Sequence, residues 1–156
     1  MSDRAGKQDG FTLIEMVCVM AIIGLLAAVL LPILPRQTSR TRLEAYAIEA
    51  ASVLKADRNY AIAYRTQVTT QVDAGSRSLR SGATGAAIYL PEDVRVDTLL
   101  PENCNSRPAY ASVSFFASGM SCGGVITLTH LDAGYEIRIN WLTGRIEVVT
   151  LGQLFN

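Results

Sequence analysis

Gly10-Phe11-Thr12-Leu13-Ile14-Glu15-Met16-Val17 opens a largely apolar run that continues to Leu34, and Glu15 is its only carboxylate. As a helix rising about 1.5 Å per residue, residues 11–34 reach roughly 36 Å, enough to cross the hydrocarbon core of a bilayer. A charged side chain at mid-bilayer costs at least about 2.5 kcal/mol and is kept where it has a partner or a function. The stretch therefore predicts a membrane span with a functional carboxylate near its start.

Two ordinary kinds of apolar segment are the alternatives. A secretory signal peptide has a small-residue cleavage site after its apolar block, whereas Gly10 precedes this one. A plain signal anchor would leave Glu15 in the headgroup region without a role, and the residues alone leave that alternative open. Basic residues flank both ends of the run, so charge does not orient the span.

The segment from Gly10 to Glu15, with a polar leader before it and an apolar helix behind it, resembles the class III signal of type IV pilins and type II secretion pseudopilins. The resemblance implies that residues 1–10 are a leader, that prepilin peptidase cuts between Gly10 and Phe11, and that the new amino group of Phe11 is methylated. It also implies that Glu15 acts in subunit assembly and that Pro32 disturbs the helix.

The charges at Phe11 and Glu15 account for such a role. Cleavage leaves a positive amine on Phe11, and this amine on one subunit can meet Glu15 of its neighbour in a bundle of stacked helices. Each charge alone is costly in lipid, while the pair largely compensates. We therefore expect Glu15 to set the axial register between subunits.

A second helix is predicted after the apolar run. Pro32 and Pro35 predict a kink or a locally unwound segment, because proline removes a helical hydrogen bond. From Arg40 to about Arg65, apolar side chains recur at spacings of three and four, which indicates an amphipathic helix. Its apolar positions are Leu43, Tyr46, Ala47, Ala50, Leu54, Ala61 and Tyr64, and its polar face carries Arg42, Glu44, Glu49, Lys55 and Arg58.

Short strands and turns are predicted beyond Arg65. The expected strands cover residues 66–72, 87–90, 94–96, 111–116, 125–131, 135–140 and 145–150, and residues 100–108 are expected to form a loop. We predict an α+β fold in which one long N-terminal helix packs on a C-terminal antiparallel β domain, residues 66–156. The first half of that helix, residues 11–34, would be transmembrane, and the second, residues 35–65, amphipathic and periplasmic.

The C-terminal half of the chain resembles one group of these pilin-like proteins in particular. Its segments Phe115–Gly119, Cys122–Leu128, Tyr135–Asn140 and Leu142–Val148 resemble the H-type minor pseudopilin of type II secretion, in the GspH/FimT family. The T-type minor pilins of type IV pili share this domain. Two of the glycines, Gly119 and Gly144, can supply a positive φ in turns.

Two cysteines fall in the domain expected to be periplasmic. The periplasm is oxidising, so Cys104 and Cys122 are candidates for a disulfide, while Cys18 lies in the span. Such a bridge would stabilise the fold by about 3 kcal/mol in the chain-entropy description. Their separation cannot be read from the sequence, and two free thiols are the alternative.

Charge and motif content disfavour enzymes and polyanion binders. The formal net charge is zero, which argues against a general polyanion-binding surface. His130 is the only histidine, and the chain shows neither metal-ligand spacing nor a phosphate-binding loop. We therefore expect no catalytic residue, no metal site and no cofactor.

The resemblance to the H-type minor pseudopilin thus implies a structural subunit at or near the tip of a periplasmic pseudopilus that supports protein export across the outer membrane. Its expected partners are prepilin peptidase, the major and other minor pseudopilins, the inner-membrane assembly platform, and membrane lipid before assembly. We expect a single-pass protein of the bacterial inner membrane with its C-terminal domain in the periplasm.

Two alternatives remain at this stage. A FimT-like minor pilin acting in pilus assembly or DNA uptake would need a basic surface if it binds DNA, which Arg77, Arg80 and Arg95 could form. However, residues 150–156 contain no Lys or Arg, and only Arg145 lies near them, so nucleic acid is not an expected partner. The other alternative is a membrane-anchored domain that is never processed.

Overall fold

The computed structural model describes residues 12–30 and 38–152, and the chain divides into two compact units between Arg36 and Gln37. In the first unit, helix α1 spans Leu13–Leu30. In the second, helix α2 spans Arg40–Ala63 and is followed by β strands. We call residues 38–152 the head domain. The predicted cleavage residues Gly10 and Phe11 and the predicted kink at Pro32 lie outside the described residues.

The described strands of the head domain form two four-stranded antiparallel sheets and one small hairpin. Sheet A has the order β3-β2-β1-β7, sheet B the order β10-β9-β8-β4, and β5 pairs with β6. In chain order, the strands are β1 Val68–Asp73, β2 Ser78–Arg80, β3 Ala87–Tyr89, β4 Arg95–Leu99, β5 Asn103–Cys104, β6 Arg107–Pro108, β7 Ser112–Phe115, β8 Gly124–His130, β9 Ala133–Ile139 and β10 Ile146–Leu151.

Helix α2 has a defined cap at each end. The Ser39 side chain accepts a hydrogen bond from the Arg42 amide at 3.3 Å, which satisfies one of the free N–H groups of the first turn. At the other end, the Thr66 amide donates to the Ala61 carbonyl at 3.1 Å, and Arg65 has a φ of 51°. This is a Schellman closure with arginine in the left-handed position that glycine usually takes. The caps explain why the helix ends near the predicted Arg65.

The core of the head domain lies between α2 and the two sheets. The helix packs against β1 of sheet A and against β8, β9 and β10 of sheet B. It contributes Leu43, Ala47, Ala50, Leu54 and Ala61, all predicted from their spacing, whereas Tyr64 is exposed. The sheets contribute buried side chains that include Val68, Val113, Phe115, Ile126, Leu128 and Ile137. The prediction of a helix packed on antiparallel sheet is confirmed.

The strand pattern departs from the prediction in two places. Residues 100–108 were expected to form a loop, but they contain the β5–β6 hairpin. Strand β2 was not predicted, because it has three residues and only Leu79 faces the core. Such short strands are held by their neighbours and leave little periodicity in the sequence.

Within the described ranges, no helix combines the length and apolar character needed to cross a membrane.

Candidate functional site

Helix α1 presents apolar side chains on all its sides. Side chains from Thr12 to Ala27 are exposed, and they include Leu13, Ile14, Met20 and Leu25. A helix that is apolar all round is stable in water only when other apolar groups cover it. Helix α1 therefore leaves apolar surface uncovered along its described residues.

Glu15 lies in the first turn of α1 and is exposed. Its amide donates to the Thr12 carbonyl at 3.1 Å, and the amide of Met16 approaches the same oxygen at 3.3 Å. A carboxylate in a first turn is favoured by the free N–H groups there. The structure thus places one accessible negative charge at the beginning of an uncovered apolar helix.

Cys104 and Cys122 are paired as a disulfide, with their Cα atoms 5.6 Å apart. Cys104 belongs to β5, and Cys122 lies in the segment that connects β7 to β8. The same segment is held by two backbone hydrogen bonds of 3.0 Å, from Cys122 to the Ser114 carbonyl and from Ser121 to the Trp141 carbonyl. The disulfide therefore attaches the β5–β6 hairpin to the connection between the two sheets.

A buried carboxylate that the sequence analysis missed holds α2 to sheet A. Asp57 is fully buried and accepts hydrogen bonds from the Thr70 hydroxyl at 2.6 Å and the Ser81 hydroxyl at 2.5 Å. It also accepts from the amides of Gly82 at 2.9 Å and Ala83 at 3.3 Å. Buried polar groups are tolerated when they are hydrogen-bonded in this way. The spacing along the helix was the one indication in the sequence that Asp57 is buried, since Leu54, Asp57 and Ala61 share one helix face.

The turn that faces Asp57 requires a glycine. A Cβ at Gly82 would overlap the backbone of Thr69. Only glycine lets the chain approach β1 this closely while its amide donates to Asp57. The turn at Gly82 and Ala83 is therefore an ordered part of this site.

Arg58 joins α2 to two connections of the sheets. Its Nε donates to the Gly119 carbonyl at 3.1 Å and its Nη2 to the Thr143 carbonyl at 3.0 Å. Gly119 and Gly144 have φ values of 83° and 62°, as expected for these turns, and a Cβ on Gly144 would overlap the Gly119 carbonyl. Arg58 was predicted only as part of a polar face, whereas it fixes these two turns against each other.

A polar network lies at the other end of α2. Both oxygens of Asp93 accept from Thr38, one from its amide and one from its hydroxyl, each at 2.9 Å. The Nδ1 atom of His130 lies 2.7 Å from the Asp93 carbonyl and therefore carries the proton of that contact. The His130 side chain is only 10% exposed, and its Nε2 is buried without a partner among the described residues. The network ties the residues before α2 to sheet B.

We expect the contribution of Asp93 to stability to depend on pH. The Thr38 amide, then its hydroxyl, and then nearby His130 hold the pKa of Asp93 below its usual value of 3.8. A carboxyl with a lowered pKa stabilises the fold above its unfolded pKa, and this contribution is lost as the pH falls through the folded pKa. Asp93→Asn should therefore lower the thermal midpoint of the full chain at neutral pH.

The difference in thermal midpoint between Asp93→Asn and wild type should shrink below pH 3.8, as the Asp93 carboxyl of wild type becomes protonated. Thermal unfolding followed by circular dichroism over a pH series measures it. Asp132→Asn, at an exposed acid, is the control and should show no such trend. A difference between Asp93→Asn and wild type that persists unchanged at the lowest pH would contradict the assignment.

Two of the arginines considered for nucleic acid lie on different sheets, and two are paired with acids. Arg80 lies on β2 of sheet A and donates to the Gly85 carbonyl, whereas Arg95 lies on β4 of sheet B and pairs with Asp97 at 3.0 Å. Arg145 is paired with Glu147 at 2.8 Å. Among the residues described, no group of three His, Cys, Asp or Glu side chains could hold a metal ion.

Comparisons with known proteins place the chain in a family. Residues 6–31 match the family described as "Prokaryotic N-terminal methylation motif". Type II secretion system protein H of Xanthomonas campestris pv. campestris is 30% identical over 137 residues, covering 88% of this chain and 80% of the relative. The chain belongs to the type II secretion system protein H family. As a member of this family, it is a minor pseudopilin.

Solved structures agree with the fold of the family. The minor pseudopilin EpsH from the type 2 secretion system of Vibrio cholerae has a TM-score of 0.56 at 14% identity, over 69% of this chain and 95% of that one. The type IV minor pilin FimU of Pseudomonas aeruginosa has a TM-score of 0.55 at 18% identity, over 76% and 98%. At these identities the two structures establish a shared fold.

Proposed function

We propose that this minor pseudopilin is cut between Gly10 and Phe11 by prepilin peptidase, methylated at Phe11, and anchored in the inner membrane by residues 11–34. It then joins the pseudopilus at or near its tip and supports protein export across the outer membrane. The membership in the protein H family and the match of residues 6–31 to a methylation motif support this sequence of events. Its role is that of a structural subunit.

The observation that carries the proposal is the division of the chain into a head domain with its own core and an uncovered apolar helix. The head domain buries its apolar side chains between α2 and the sheets, whereas α1 leaves its side chains exposed through Ala27. Burial in lipid removes this apolar area from water before assembly, and neighbouring helices do so afterwards. The proposed span is the longer segment 11–34, which includes the residues of α1.

Glu15 gives this association its register. In an apolar environment, a carboxylate and an amine that pair are far less costly than either charge alone. The proposed amine is that of Phe11 on the neighbouring subunit, created by cleavage. Helix packing would supply the main attraction, and the pair would fix the axial position of one subunit against the next.

The disulfide supports a periplasmic head domain. Disulfides persist in the bacterial periplasm and are rare in the cytosol. Cys104 and Cys122 are bonded within the head domain, while Cys18 of α1 is free. We infer that the domain matures in the periplasm, where it contacts the major and other minor pseudopilins and the inner-membrane assembly platform.

Intact-mass analysis of the membrane-extracted chain, produced together with its prepilin peptidase, tests the proposal. We expect a mass that begins at methylated Phe11. Gly10→Leu should leave the leader attached, because the peptidase reads the residue before the cut, whereas Gly6→Leu within the leader should still be processed. A wild-type mass that retains residues 1–10 would contradict processing and the register role of Glu15.

A further inference from the structure

One turn of the head domain carries large apolar side chains in water. Trp141 and Leu142 lie between β9 and β10 and are 62% and 55% exposed. When a partner covers an exposed tryptophan, a large apolar surface is removed from water, which favours binding. Tryptophan is accordingly enriched at interaction hot spots. This turn is therefore a place to look for a binding surface.

The turn is held rigidly. The Asn140 side-chain oxygen accepts from the amides of Leu142 at 3.0 Å and Thr143 at 2.9 Å, and the Gly144 amide donates to the Asn140 carbonyl at 2.8 Å. From outside the turn, the Ser121 amide binds the Trp141 carbonyl at 3.0 Å. Apolar side chains on a turn that is already ordered can be bound at a low entropic cost.

A basic cavity lies beside this turn. Its volume is about 490 Å³, and its lining includes Lys55, Arg58 and Arg145, while none of its described lining residues is acidic. Arg145 is paired with Glu147, but neither Lys55 nor Arg58 forms a salt bridge with an acid of the described residues. Arg58 is held in place by neutral carbonyl groups, which leave its charge uncompensated. The cavity therefore favours an anionic group.

A second cavity is lined by Trp141 itself. It has a volume of about 560 Å³, and Phe116, Met120 and Trp141 contribute its apolar lining, together with uncharged polar side chains. A third cavity shares Trp141 with the second cavity and Thr143 and Arg145 with the basic cavity, and its lining also includes Arg138 and Glu147. The turn thus contributes residues to a basic region suited to a carboxylate and to a region where Trp141 can contact an apolar side chain.

This surface is distant from the start of the head domain. Arg58 lies 18 residues after Arg40 on the same helix, a distance of about 27 Å along its axis. The Thr38, Asp93 and His130 network lies at the other end of α2. A partner at the turn can therefore bind without displacing the residues that lead into α2.

We propose that the β9–β10 surface, formed by Lys55, Arg58, Trp141, Leu142 and Arg145, docks a protein partner that presents a carboxylate to the basic cavity and an apolar side chain to Trp141. This inference rests on the proposed function, because that function makes the partner another pilin-like subunit of the same assembly. Charge complementarity selects the partner, since two uncompensated cations repel a basic surface and attract an acidic one.

The test measures the affinity of the full chain, processed and held in nanodiscs, for each separately purified major and minor pseudopilin of the same bacterium. Trp141→Ala and Lys55→Glu should each weaken binding to the same subunit at least about tenfold. The matched controls are Tyr89→Ala, another exposed aromatic residue, and Arg42→Glu, another exposed cation of α2. Both should remain within about twofold of wild type, because they lie outside the surface.

The salt dependence of the affinity separates the contribution of charge at Lys55 from that of apolar contact at Trp141. The effect of Lys55→Glu should shrink at high ionic strength, whereas that of Trp141→Ala should persist.

If wild type binds a subunit and both variants bind as tightly as their controls, the docking surface is wrong and the proposed function is unaffected. Wild type binding none of the subunits would instead overturn the proposed partner and function together. If the chain binds no subunit but binds duplex DNA, and Lys55→Glu abolishes that binding, then the basic cavity binds phosphate groups and not a protein carboxylate.

Discussion

Glu15→Ala is expected to lower the recovery of the major pseudopilin with the full chain at least about tenfold, because one buried charge loses its partner. The substitution removes the only carboxylate of residues 11–34 and leaves the apolar surface of α1 almost unchanged. Helices would still associate through packing, but the amine of the neighbouring subunit would lie in an apolar environment without a counter-ion. Co-purification from membranes, with both subunits quantified by mass spectrometry, measures the loss.

Two further variants separate charge from packing at this position. Glu15→Gln keeps the size of the side chain and removes its charge, so it should behave like Glu15→Ala. Met20→Ala removes an exposed apolar side chain of the same helix and should lower recovery less than Glu15→Ala does, because it leaves no buried charge without a partner. If Glu15→Gln assembles like wild type, then the side chain acts by shape or hydrogen bonding, and the ion pair is wrong.

The helical part of the head domain was predictable because its causes are local. The spacing of Leu43, Ala47, Ala50, Leu54 and Ala61 indicates which helix face is buried, and the structure buries all five. The strands from β7 to β10 were also found near their predicted positions. In β8 and β9, which pack against α2, alternate side chains such as Ile126 and Leu128 are buried. Periodicity describes an element well when one of its faces packs on a continuous core.

The features that the sequence analysis missed depend on contacts between distant residues. Asp57 is stable inside the core only because donors arrive from Thr70 and from the turn at Ser81. Arg58, the next residue, was interpreted as part of a solvated face, although it binds carbonyls 61 and 85 residues away. A charged residue gives no indication in the sequence of whether its partner is water or a remote backbone group.

The disulfide illustrates the same limit. Composition and the expected compartment made Cys104 and Cys122 candidates, but only the fold brings their Cα atoms to 5.6 Å. The β5–β6 hairpin that carries Cys104 was taken for a loop, since each of its strands has two residues. Its attachment to the β7 to β8 connection is a contact between residues 18 apart in the chain and not a local pattern.

Asp57→Ala is expected to destabilise the head domain by about 3–5 kcal/mol, because several buried donors lose their acceptor at about 1–3 kcal/mol each. This is a large part of the roughly 5–15 kcal/mol typical of a folded domain. The substitution leaves two hydroxyl groups and two amides, those of Thr70, Ser81, Gly82 and Ala83, without their common acceptor in a buried site. Chemical denaturation of the full chain in detergent, followed by far-UV circular dichroism, measures the change.

Glu49→Ala, at an exposed acid of the same helix, is the matched control and should change stability by no more than about 0.5 kcal/mol. Removing the hydroxyl donors as well, in Asp57→Ala with Thr70→Val and Ser81→Ala, should cost less than the sum of the separate changes, because fewer donors remain unpaired. Strict additivity, or a loss no larger than that of Glu49→Ala, would mean that the network does not hold α2 to sheet A. A large and non-additive loss would establish Asp57 as the polar anchor between the helix and this sheet, at the point where the sequence shows only a charged residue among apolar ones.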